Sequence, residues 1–133
     1  MNIVTIVGVI VETPVVKEFE SGARGTTITL RVTRPFKSLD GQKEADFIRC
    51  HLWEGIAQSV CEYCTKGDVI GVRGRLVNYT DEVNFNCDKE NHVKRLSFLQ
   101  FVGERVSFIS TSRKYKENLE TNHPYQDLIE ENQ

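Results

Sequence analysis

Strict alternation of apolar and polar residues recurs in three separate segments, and it fixes the kind of fold open to this chain. In residues 26–34, Ile28, Leu30 and Val32 oppose Thr27, Thr29, Arg31 and Thr33. In residues 47–53, Ile48, Cys50 and Leu52 oppose Phe47, Arg49, His51 and Trp53. In residues 68–78, Ile70, Val72 and Leu76 oppose Arg73, Arg75 and Val77. A period of two sends successive side chains to opposite faces of a sheet, so each segment reads as a half-buried strand.

The other segments complete the pattern. Residues 2–11 are nearly continuous Ile, Val and Thr interrupted by Gly8, which predicts a strand buried on both faces with a bend at the glycine. Residues 15–19 resume briefly after Pro14, and residues 21–25 (Ser-Gly-Ala-Arg-Gly) form a turn. Residues 54–64 place Ile56, Ala57, Val60, Cys61 and Cys64 on one helical face, stopped by Lys66-Gly67. Residues 35–43 and 79–92 read as two long loops, the second polar and without period, and residues 93–109 as a last strand. Five strands with one short helix between the third and fourth predict an all-β, five-stranded OB-fold barrel. It occupies residues 1–110, followed by a flexible, slightly acidic C-terminal tail at 111–133.

At 133 residues the chain needs one core and no disulfide or metal support. No apolar run reaches membrane-spanning length and no signal-peptide pattern opens the chain, so the expectation is a cytoplasmic protein with four reduced cysteines. Seventeen basic residues meet 19 acidic ones, and the acidic excess lies wholly beyond Ser112. The body is neutral, so any affinity for a polyanion must come from local clustering.

One face of residues 47–53 supplies such a cluster. Phe47, Arg49, His51 and Trp53 interleave rings with cationic or ionisable groups, poor material for a core but suited to a nucleic-acid single strand, whose bases stack and whose phosphates need cations. Arg31, Arg34, Arg73 and Arg75 extend the outward cations, while Lys37, Lys43, Lys89, Lys94 and Arg95 flank the loops. Such a chain binds and does not catalyse: there is no Ser-His-Asp order, phosphate loop or paired-carboxylate motif, and no cofactor is implied.

In order along the chain, the opening Asn2-Ile3-Val4-Thr5-Ile6-Val7-Gly8, the second strand from Gly25 to Arg34, Lys43-Glu44-Ala45-Asp46-Phe47, Cys50-His51-Leu52-Trp53 with the following helix, and Gly71-Val72-Arg73-Gly74-Arg75-Leu76 resemble the bacterial-type single-stranded DNA-binding proteins of replication, recombination and repair. The resemblance spans residues 1–109. It implies sequence-nonspecific single-stranded DNA binding through stacking rings that fall on Phe36, Phe47, Trp53 and Tyr79. It also implies a homo-oligomer, dimer or tetramer, paired through the opening strand, and replication or recombination proteins recruited by the tail. Here the tail ends in Glu130-Glu131-Asn132-Gln133 and lacks the family's terminal Ile-Pro-Phe.

Two rival readings share the fold. An accessory or primosome-like adaptor would have a protein as its main partner. A zinc-stabilised RNA-binding module would use Cys61, Cys64, Cys87 and His92, although both helix cysteines lie on the apolar face and read first as core thiols.

Overall fold

The computed structural model describes residues 1–87 and 90–112. Six strands and one helix follow in order: β1 (Val4–Ile10), β2 (Lys17–Glu18), β3 (Arg24–Lys37), β4 (Lys43–Trp53), α1 (Glu54–Tyr63), β5 (Val69–Cys87) and β6 (Glu90–Ser110). The sheet order β1-β5-β6-β4-β3-β2, with β1 returning to pair with β3, closes a five-stranded barrel to which the two-residue β2 is appended. This is the OB-fold arrangement, with the helix between the third and fourth major strands, β4 and β5.

Gly8 makes the closure possible. β1 runs beside β5 from Val4 to Val9 and then meets β3 at Val9 and Ile10. A Cβ at position 8 would stand 2.9 Å from the Arg31 carbonyl oxygen and 3.1 Å from Leu30 Cβ, so only glycine lets the strand bend this closely across its neighbour.

The inward residues of the three alternating segments form the core: Ile28 and Leu30 from β3, Cys50 and Leu52 from β4, Ile70 and Val72 from β5, joined by Ile10 and Phe101. α1 plugs one end with Ala57 and Val60, and the buried Cys64 follows it. Burial pushes the Cys50 thiol up to about 12. Asp68 ties down the last described residues: its carboxylate accepts the N–H of Thr65 at 2.8 Å, the N–H of Ser112 at 3.1 Å and the Ser112 hydroxyl at 3.2 Å.

Three expectations change. First, residues 79–87 and 90–92 do not form a loop. β5 and β6 continue past the barrel as a hairpin paired from Tyr79↔Phe98 to Cys87↔Glu90. The described side chains of this ribbon are exposed or at most half-buried, so nothing selects a hydrophobic period; backbone pairing and cross-strand contacts such as Thr80 Oγ1 to Ser97 Oγ at 3.2 Å hold it. Second, the loop at 35–43 is shorter, because β3 extends to Lys37 opposite Lys43 and the turn is closed by Ser38 N–H to Gln42 O. Third, β1 is not buried on both faces: Ile3 and Val7 are half exposed. The tail from residue 113 lies outside the described residues.

Candidate nucleic-acid interface

The antiparallel register of β3 and β4 sets four residue pairs side by side on the outer surface: Arg31 opposite Phe47, Thr29 opposite Arg49, Thr27 opposite His51 and Gly25 opposite Trp53. The result is a two-strand platform of rings and cations. Phe47 is 62% exposed. Arg31 and Arg49 are exposed and make no ion pair among the described residues. A solvated ring beside unpaired guanidinium groups costs the isolated fold apolar exposure and offers a base a stacking face with charge for the adjoining phosphate.

Trp53 is more anchored. Its indole lies over Gly25, where a Cβ would come within 2.8 Å of the ring, and its centroid is 5.4 Å from that of Phe19. The chain turns sharply after it: Glu54 holds φ +51, a left-handed conformation costing a non-glycine residue on the order of 1 kcal/mol. The Glu54 carboxylate accepts the Arg24 N–H at 3.2 Å, which ties this turn to the strand carrying Gly25. Phe19, absent from the sequence-derived candidates, therefore belongs to the site. Its only signal was an aromatic just before the turn at Ser21-Gly22.

A groove of about 300 Å³ opens between the β1–β2 connection, with Thr13, Pro14 and Val15, together with Phe19 just after β2, and the platform, with Thr27, Thr29, His51 and Trp53. His51 Nδ1 lies 3.0 Å from Thr27 Oγ1. Burial first, and then the positive charge of Arg49, hold its imidazole below the ordinary histidine range, so it is neutral at pH 7.

The β3–β4 hairpin extends the platform beyond the barrel. Phe36 stands 82% exposed near its tip, and Lys37 faces Lys43 directly across the strands. Like charges set opposite one another disfavour the hairpin by a few tenths of a kcal/mol and attract an anion. Arg34 behaves differently. Being three positions from Arg31, it falls on the other side of the ribbon, where its Nη2 donates to Asp46 at 2.8 Å and its Nη1 to Glu44 at 2.6 Å. The hydrogen bond and charge of Asp46, with Glu44 adding to them, raise the Arg34 pKa, and Arg34 in turn lowers that of Asp46.

Arg73 and Arg75 do not join the platform. In the barrel β5 is separated from β3 by β1 and from β4 by β6, so these outward cations do not extend the cluster of Arg31 and Arg49 as the sequence reading expects. Arg73 instead faces Arg105 of β6 and Thr5 of β1, and Arg75 is paired with Glu104 at 2.7 Å. Tyr79 lies on the protruding hairpin opposite Phe98, each half exposed. On the same hairpin Lys94 is exposed, and Arg95 lies 3.4 Å from Glu82. Lys89 lies outside the described residues.

Comparison with known proteins gives a concordant result. The profile of the Single-strand binding protein family matches residues 1–101. The chain is 34% identical over 113 residues to Single-stranded DNA-binding protein 3 of Listeria innocua, covering 85% of this chain and 66% of that one. It is 41% identical over 111 residues to the Single-stranded DNA-binding protein of Bacillus cereus, covering 82% and 60%. It is 37% identical over 87 residues to Single-stranded DNA-binding protein B of Bacillus subtilis, covering 64% and 77%. The chain thus spans roughly two thirds of the length of such relatives.

Proposed function

Because the chain belongs to the single-strand binding protein family, we propose that it binds single-stranded DNA without sequence preference and keeps it unpaired during replication, recombination or repair. The observation that carries this reading is the β3–β4 platform, with Phe47 set against Arg31 and Arg49 against Thr29, all on one surface. Bases stack on Phe47, Trp53 and the projecting Phe36, each contributing on the order of 1–3 kcal/mol, while Arg31, Arg49, Lys37 and Lys43 neutralise phosphates. The stacking carries no sequence preference, because a ring accepts the face of any base. The protein acts by stoichiometric binding and not by turnover. Tyr79, on the outer hairpin, and Arg73 and Arg75, on another sector of the barrel, meet only a strand that continues past the platform.

The assembly reading rests on β1. Toward β3 the strand pairs only at Val9 and Ile10, leaving the edge at residues 4–7 without a strand partner among the described residues, next to half-exposed Ile3 and Val7. Such an edge is a template for a second copy, and we place a homo-oligomer there. We keep the boundary between domain and tail at residues 110/111, with Ser112 just past it bonded to Asp68, and give the tail the recruitment of other replication or recombination proteins. The cytoplasmic placement fits a chain in which no described helix is long and apolar enough to cross a membrane.

Titration with oligo-dT, read by Trp53 fluorescence and by mobility shift against duplex DNA and RNA of equal length, tests the reading. Quenching with a shift for single-stranded DNA at low salt is expected. No quenching and no shift would leave the adaptor reading in its place.

A further inference from the structure

We infer that Arg34 is a positioning residue: it fixes the segment presenting Phe36 and does not itself hold the phosphate backbone. The inference rests on the reading of Phe36 as a base-stacking ring.

The β3–β4 ladder is broken where Phe36 projects. Thr33 pairs with Ala45, and pairing resumes only at Lys37 opposite Lys43, so Arg34, Pro35 and Phe36 together face the single residue Glu44. Pro35 has no N–H to give to a ladder. Backbone pairing therefore does little to hold these three residues, yet a ring that stacks must be held before the base arrives, or its ordering cost is subtracted from the affinity.

The Arg34 side chain supplies what the ladder lacks. Its Nε donates to Asp46 Oδ2 at 3.0 Å and its Nη2 to Asp46 Oδ1 at 2.8 Å, a two-pronged bond, while Nη1 reaches Glu44 at 2.6 Å. Glu44 and Asp46 flank Ala45, the last residue of β4 paired before the break, so one planar guanidinium bridges the bulged segment to both sides of that point. A planar fork suits this role in a way that a lysine ammonium does not. Arg34 lies across the ribbon from Arg31 and Arg49, and to reach a phosphate it would have to abandon both carboxylates.

The test is oligo-dT affinity as a function of salt for Arg34→Gln, Arg34→Lys, Asp46→Asn, Phe36→Ala and the double variant R34Q/F36A, with urea unfolding as a check on the fold. A positioning role predicts that R34Q and R34K each weaken binding about three- to tenfold and that D46N also weakens it. The dependence of log K on log salt should stay that of the parent, and R34Q/F36A should bind no worse than F36A alone. A phosphate contact predicts the reverse: R34K binds fully, D46N frees the guanidinium and tightens binding, and R34Q lowers the salt slope by about one. Any of these three results overturns the inference. Should F36A bind as tightly as the parent, the stacking role of Phe36 fails, and the bridge itself is then read without DNA. R34Q must speed amide exchange at residues 34, 36 and 37, and unchanged exchange there overturns it.

Discussion

Replacing Phe47 and Trp53 by alanine one at a time separates binding from folding, because the two rings are covered to different extents. Rings of this kind carry about 200 Å² for Phe and about 250 Å² for Trp. Exposures of 62% and 42% leave roughly 75 and roughly 145 Å² removed from water. At about 25 cal/mol per Å² these areas correspond to upper bounds of about 2 and about 3.5 kcal/mol. Trp53 also loses its contact with Phe19, worth about 0.5–1.5 kcal/mol more. Trp53→Ala should therefore cost about 2 kcal/mol more stability than Phe47→Ala, read as a lower urea midpoint at unchanged m-value. Binding should respond more evenly: each variant loses one stack, about 1–3 kcal/mol or roughly five- to 150-fold in Kd for oligo-dT, with an unchanged salt slope because no charge is removed. The reasoning is refuted if Phe47→Ala lowers the urea midpoint as far as Trp53→Ala does, or if it leaves the affinity intact. In either case Phe47 serves packing or a subunit contact and not a base.

Three further outcomes follow from other parts of the structure. Asp68→Ala leaves the N–H groups of Thr65 and Ser112 without their acceptor and should cost about 1–3 kcal/mol in urea unfolding, with faster amide exchange at Ser112; a cost under about 0.5 kcal/mol would show that water replaces the carboxylate freely. The Cys50 thiol, buried and pushed up to about 12, should resist a thiol reagent at pH 8 until urea unfolds the barrel, and modification of the native protein at the rate of a simple thiol would contradict its burial. His51 titrates below its unfolded value, so its neutral form contributes stability that is complete above the unfolded pKa of about 6.5 and is lost as pH falls from there through the folded value. Imidazole NMR shifts should place its midpoint below 6.5, and His51→Gln should flatten that part of the stability profile; a midpoint above 6.5 would mean that its surroundings favour the imidazolium.

The barrel was legible because each of its strands has one face that must be buried. Ile28 and Leu30, Cys50 and Leu52, and Ile70 and Val72 mark the core at every second residue, and Ala57 and Val60 mark it at helical spacing. The β5–β6 hairpin beyond the barrel offers no such mark. Asn78, Tyr79, Thr80, Asp81 and Glu82 are all exposed, so alternation has nothing to report. What makes the ribbon is backbone pairing across a hairpin with polar cross-strand contacts, such as Thr80 with Ser97 and Glu82 with Arg95, and such pairs leave no apolar period for a local reading to find.

For the interface, alternation settles which side of a strand a cation occupies, and sheet order settles which other residues share that surface. Parity alone put Arg31, Phe47 and Arg49 on one outer surface, as the register has them, since β3 and β4 are sequential strands joined by a hairpin. The same parity separates Arg34 from Arg31, so the expectation that Arg34 joins the outward cations went against the alternation itself, and its partners proved to be Asp46 and Glu44. Arg73 could not be placed in this way. It points outward as Arg31 does, yet the chain enters the barrel so that β1 and β6 flank β5, and the neighbours of Arg73 become Thr5 and Arg105. A cation's charge and face follow from local chemistry, but its membership in a groove depends on non-local pairing. In this molecule the β3–β4 platform, built on a single hairpin, is therefore also where alternation and structure agree on which side chains share a surface.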